Sequence, residues 1–202
     1  MSDALANELF ERAAMRRRMA QDILDGLDLI DRWRRFGRPV VVGALAYDLV
    51  VARDIDMEIY CPVLRIEDGF TVLGECAQLP PVVGVEFNNA LAGPDKALYW
   101  KLRVRDRDGE EWKIDMWSAP EDYDLPRSED FVAPMRAALT TETREAILRL
   151  KEMRRNDETI RCLSIDLYRA VIDGGVRSPE ALRRWLGEHE TDTLTGWKPV
   201  AC

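Results

Sequence analysis

The chain has 202 residues, 47% of them hydrophobic and 33% charged, with a formal net charge of −8. That length suits one large or two small domains, and a chain of this size buries roughly 70% of the surface its unfolded form exposes. The acidic balance argues against general nucleic-acid binding, which needs a basic footprint. No apolar run approaches the roughly 18 residues of a membrane span, and Met1 to Arg18 is charged and helical in pattern rather than signal-like. Cys61, Cys76, Cys162 and Cys202 are scattered with no C-x-x-C pair. They fit a reducing cytoplasm and suggest neither a structural zinc nor a disulfide framework.

Residues 3–35 carry helical spacing in Leu5, Leu9 and Ala13, then in Ile23, Leu27, Ile30 and Trp33, with a break near Asp25-Gly26. The arginines at 16, 17, 18, 32, 34, 35 and 38 either contact a polyanion such as a triphosphate or form a solvated face paired with nearby acids. Val40, Val41 and Val42 make an uninterrupted β-branched run that reads as a buried strand, and Gly43 after it can open a tight turn. The following ALAYDLV is long enough for about two helical turns. From Arg53 onward Ile55, Met57 and Ile59 alternate with Asp54, Asp56 and Glu58. Successive strand residues point to opposite faces, so the apolar set packs inward while the carboxylates line the other face. Like charges at every second position repel. Either a divalent cation held by one or two carboxylates plus substrate phosphates resolves them, or they form the charged outer face of an edge strand.

Cys61-Pro62 ends this strand. A helix is expected over 64–78 with Ile66, Phe70, Leu73 and Cys76 inward, stopped by Leu79-Pro80-Pro81. Strands follow at 82–87 and 97–104, joined by a loop containing Ala92-Gly93-Pro94-Asp95, and Asp108-Gly109 turns the chain into a hairpin. The last run puts Lys113 and Asp115 on one face and Trp112, Ile114 and Met116 on the other. The strands together make a sheet of about five, near the usual size. Residues 120–126 read as a loop whose Glu121, Asp122 and Asp124 are either added metal ligands or solvated acids.

From about Asp130 to Glu188 the chain reads as helical. Thr140 or Thr141 caps a helix with Ala146, Ile147, Leu150 and Met153 inward, and Asp157 caps the next with Ile160, Leu163, Leu167 and Val171 inward. Gly174-Gly175 ends that helix, and Ser178-Pro179 starts a last one docked by Leu182, Trp185 and Leu186. Tyr168 either packs or stacks on a base. His189 is the only histidine, so a histidine-dependent nucleophile has little support. Neither a P-loop nor a dinucleotide-binding glycine motif occurs. A sheet first and helices second is an α+β arrangement, with a division expected at 1–126 and 127–202.

A strand closed by Gly43, a short helix, Asp54-Ile55-Asp56 on the next strand and Asp115 on a later one resemble the DNA polymerase beta-like nucleotidyltransferases, the small bacterial antibiotic-modifying members among them. The resemblance covers roughly residues 20–120. It departs at Ala44, where the family pattern has serine, and LAYDL offers no small hydroxyl in its place. The resemblance implies a nucleotidyltransferase-like mixed sheet with flanking helices and a C-terminal helical region that helps hold the acceptor. It further implies that Asp54 and Asp56 hold two Mg²⁺ ions on the triphosphate of an NTP, with Asp115 completing the acceptor-side metal or acting as base. Gly43 and Ala44 would bring backbone to the phosphates, Lys113 and Arg53 would contact them, and Glu58 lies further along the strand. The expected reaction moves a nucleoside monophosphate from an NTP to a hydroxyl on a small molecule or protein. Ala44 forgoes a hydrogen bond worth about 0.5–1.5 kcal/mol. It keeps open two other readings: a catalytically degenerate binding protein, or a module that regulates a partner.

Overall fold

The alternating segments join into one five-stranded sheet in the computed structural model, which describes residues 3–157, 159–191 and 196–199. The strands are β1 (Arg38–Val42), β2 (Asp54–Cys61), β3 (Val82–Ala90), β4 (Ala97–Arg105) and β5 (Glu111–Pro120), in the order β1-β2-β5-β4-β3. β2 and β5 run parallel and the other neighbours antiparallel. A parallel pair needs a crossover connection, and the chain from helix α4 (Ile66–Cys76) through β4 supplies it. The other helices are α1 (Asp3–Gly26), α2 (Leu29–Arg34), α3 (Gly43–Ala46), α5 (Glu129–Ala138), α6 (Thr141–Asn156), α7 (Ser164–Ile172) and α8 (Pro179–Glu188). The architecture is α+β, as the order of elements predicts.

Each face of the sheet meets different helices. On one face Ile55, Met57, Ile59, Trp100, Trp112, Ile114 and Met116 pack with Leu24, Leu27 and Trp33 of α1, α2 and their connection, and with Leu73 of α4. Trp33 and Trp100 bury their indole N–H groups with partners, donating to Met116 Sδ at 3.2 Å and to Ser118 Oγ at 3.0 Å. A buried tryptophan removes about 150–250 Å² from water, worth up to about 4–6 kcal/mol, so these rings dominate the core. Gly69 lets α4 lie against Trp100, because a Cβ there would collide with the indole. A second core joins α5–α8 to Leu9 and Ala13 of α1, to Ala46 at the end of α3, and to Tyr47, Leu49 and Val51 after it. Thr140 caps α6 by accepting from the Thr143 amide, and Ser178 caps α8 with Pro179 in its first turn. Among the described residues no helix is long and apolar enough to cross a membrane.

Several local expectations change. β1 is an edge strand with only Val42 buried, because β2 is its single neighbour, and Pro39 suits that edge. The two-turn helix shrinks to α3, since Asp48 takes a left-handed φ of 58° that halts helical propagation. Phe70 is 50% exposed while Gly69, Val72, Leu73 and Cys76 form the buried face of α4. Asp157 closes α6 rather than opening α7, and Met153 and Leu163 lie at the surface. Cys202 lies outside the described residues.

Candidate active site

The acid-bearing strand is positioned by its neighbours on both sides. β1 sets Val42 opposite Asp56, and parallel β5 sets Lys113 opposite Asp54 and Asp115 opposite Asp56. All of these acids therefore share the sheet face turned away from the tryptophan core. Gly43 holds φ at 62°, and a Cβ on it would strike Asp56 Oδ2. Glycine is required here twice over: for the left-handed turn and for the space the Asp56 carboxylate occupies. Ala44, the next residue, is buried and lines the same cleft.

The acids are not equivalent. Among the described residues, no hydrogen bond or ion pair reaches the Asp56 carboxylate. Desolvation, then the charges of Asp54 and Asp115, push its pKa up to about 7. Asp115 is instead fully engaged: Tyr99 Oη donates to Oδ1 at 2.5 Å and Lys113 Nζ to Oδ2 at 2.7 Å. The same ammonium lies 3.8 Å from Asp54 Oδ2. Burial alone would lower the Lys113 pKa, but Asp115, Asp54 and Asp56 outweigh it and raise it. The Tyr99 phenol is raised by burial and then by its bond to Asp115. A divalent ion would find its ligands in Asp56, which no donor or cation partners among the described residues, and in Asp54, whose Oδ2 has the Lys113 ammonium at 3.8 Å. It does not fit Asp115 as that residue stands, and no group of three acid, histidine or cysteine side chains converges for a metal among the described residues.

Facing these acids across a cleft of about 650 Å³ are α5, α6 and the start of α7, a volume typical of small-molecule sites. The cation on that wall is Lys151 of α6, only 5% exposed. Its Nζ donates to the Leu49 carbonyl at 2.9 Å and to Tyr168 Oη at 3.1 Å, and among the described residues no carboxylate lies within ion-pair distance. The sequence reading missed Lys151. Its signal was there, a lysine set inside the apolar stripe of Ile147, Leu148 and Leu150. Tyr168 packs edge-on against Tyr47 with ring centroids 5.9 Å apart, and both line the cleft.

Other candidates lie elsewhere or serve the framework. Arg53 pairs with Glu110 at 3.1 Å, outside the cleft lining. Glu58 accepts from the amides of Ser128 and Glu129 at 2.9 and 3.0 Å and from Tyr60 Oη at 2.5 Å, anchoring the start of α5. Arg16 pairs with Glu152, Arg17 with Asp48, Arg32 and Arg35 with Glu75, Arg34 with Asp31 and Arg38 with Glu129. Glu121 and Asp122 are exposed, and Asp124 pairs with Lys96. His189 stacks on Trp185 at 4.0 Å. A smaller cavity of about 220 Å³ beside Met19, Ile23 and Val104 is mainly apolar, and Asp106 at its rim is spent on hairpin amides and the Trp112 indole.

No protein-family model and no curated protein matches the sequence. Solved structures do match the fold. Cid1 in complex with its short product ApU superposes with a TM-score of 0.59 at 11% identity, over 83% of this chain and 52% of that one. A cytoplasmic RNA terminal U-transferase gives 0.51 at 16% identity, over 85% and 46%. Cid1 in complex with the UTP analogue UMPNPP gives 0.51 at 11%, over 77% and 47%. The chain thus spans about half the length of the structures it matches. It shares their fold, a mixed sheet with flanking helices as the order of elements implied.

Proposed function

We propose that this cleft binds a nucleoside triphosphate with Mg²⁺ and transfers its nucleoside monophosphate to a hydroxyl on a small molecule or a protein. The observation that carries the reading is a pair of unmet charges across one cleft. Asp56 stands without a partner beside Asp54, and the Lys151 ammonium opposite has only neutral acceptors. A metal-bound triphosphate satisfies both, since hard divalent cations take one or two carboxylates plus phosphates and a lysine offers phosphate a compact point charge. The shared fold agrees with this chemistry.

Asp54 and Asp56 would hold the ion, which neutralises phosphate charge and orients the triphosphate. Gly43 lets the backbone approach the phosphates closely, and the Ala44 amide adds a donor. Lys151 supplies the phosphate charge that the sequence reading had assigned to Lys113 and Arg53. Tyr47, Tyr168, Phe131 and Ile165 form an apolar wall suited to the nucleoside. The acceptor oxygen attacks the α-phosphorus and the bond to the α,β-bridging oxygen breaks. Pyrophosphate leaves with that oxygen, and the hydroxyl proton passes to a carboxylate of the acidic wall. The net charge of −8 favours a small-molecule or protein acceptor over a nucleic acid. Buried Cys61 and Cys76, with thiol pKa values pushed up to about 11 by desolvation, suit a reducing cytoplasm.

A second reading, a nucleotide-binding protein without turnover, is favoured by Ala44 and by the engaged state of Asp115. Thermal unfolding with ATP, CTP, GTP and UTP, with and without Mg²⁺, tests the shared premise. Ligand at a hundredfold its Kd adds about 2.7 kcal/mol, roughly 5–10 °C for a chain this size. A Mg²⁺-dependent shift in wild type, absent in Asp54→Asn/Asp56→Asn, is expected, and no shift with any nucleotide would sink both readings. Pyrophosphate release then separates transferase from binder.

A further inference from the structure

We propose that Lys113 is a built-in cation at the third acid, so that the cleft takes a single divalent metal where a two-metal site would take two. The inference rests on the nucleotide-and-metal reading above and concerns how that site meets its charge. The parallel pairing of β2 and β5 makes Lys113 the direct neighbour of Asp54 and puts its side chain on the acid face. Its ammonium lies 2.7 Å from Asp115 Oδ2 and 3.8 Å from Asp54 Oδ2, bridging the acids that a second ion would have to bridge. The remaining Asp115 oxygen accepts from Tyr99 at 2.5 Å.

Charge balance agrees with the geometry. Asp54, Asp56 and Asp115 bring three negative charges and Lys113 returns one. On the acidic wall itself the remainder equals the charge of one divalent ion, and Asp56 carries its unpartnered share. The lysine is tethered where an ion would have to be recruited from solution. It acts by holding Asp115 and Asp54 in place, so it is a positioning residue.

The test counts metal rather than activity. Mn²⁺ is titrated into the full chain with the α,β-methylene analogue of each common NTP, and bound ions are counted by electron paramagnetic resonance against nucleotide-only controls. Wild type should bind one Mn²⁺ per chain with a mononuclear spectrum. Lys113→Met keeps the stem and removes the charge; it should bind two, with the spin coupling of ions about 3.5–4 Å apart. Lys113→Arg, which keeps the charge, should return the count to one. Two coupled ions in wild type would overturn the inference and leave the nucleotide reading standing, because Lys113 would then swing aside for the metal. A count of one in Lys113→Met would also overturn it. No bound Mn²⁺ in wild type or either variant would reject the nucleotide-and-metal reading itself, and the inference with it.

Discussion

Replacing Asp56 by asparagine should stabilise the metal-free protein at alkaline pH while abolishing its response to Mg²⁺. The carboxylate sits under the Gly43 turn with no hydrogen bond, facing Asp54 on its own strand, Asp115 and Lys113 on β5 and Lys151 on α6. Its pKa of about 7 in the fold stands against an ordinary 3.8. Because the folded pKa is the higher one, the folded state holds the proton more tightly. Stability is therefore greatest below about pH 4 with respect to this group and falls as pH rises toward 7 and beyond. At about 1.4 kcal/mol per pKa unit the cost at pH 8.5 is up to about 4 kcal/mol, with water in the cleft reducing it. Asparagine mimics the neutral acid and avoids that cost. Urea unfolding in EDTA at pH 5 and pH 8.5 should show the smaller difference at the lower pH, up to about 1.6 kcal/mol for the rise above the ordinary pKa of 3.8. At the higher pH the variant should be more stable by about 2–4 kcal/mol, or roughly 4–16 °C in melting temperature. Mg²⁺ with nucleotide should raise wild type alone. A variant no more stable than wild type at pH 8.5 would refute the claim that unmet charge is stored at Asp56.

The opposite wall and the framework make separate predictions. Lys151→Met retains the apolar stem and should weaken nucleotide binding about 10–100-fold by calorimetry, the loss of one charge-assisted phosphate contact. Ala44→Ser restores the small hydroxyl and should tighten nucleotide binding up to about tenfold, matching about 0.5–1.5 kcal/mol for one hydrogen bond; unchanged affinity would mean that the phosphates do not reach this turn. Glu58→Ala strips the acceptors of the Ser128 and Glu129 amides and of Tyr60 Oη. It should cost about 1–3 kcal/mol in denaturant unfolding and leave the Mn²⁺ count as it was, which separates this acid from Asp54 and Asp56.

Local periodicity alone determined the acid face of β2, with Ile55, Met57 and Ile59 completely buried and Asp54 and Asp56 opposite. Alternation is a property of consecutive residues and survives in any sheet. The Thr140 and Ser178 caps were legible for the same reason, as were the Asp108-Gly109 turn and Gly43: each is chemistry confined to a few neighbouring residues. The edge position of β1 was not, because a run of valines does not say how many strands will flank it. Nor could periodicity place Asp115 beside Asp56. That depends on β5 pairing parallel to β2 in one register, a choice made by the whole sheet and its crossover. The same pairing set Lys113 against Asp54, while its contact with Asp115 is local to β5, and together they leave Asp56 with the unmet charge. Lys151 entered the site through the packing of α6 beside the cleft. An ammonium within an apolar stripe takes its meaning from what stands across the gap, and only the folded chain puts the acids there.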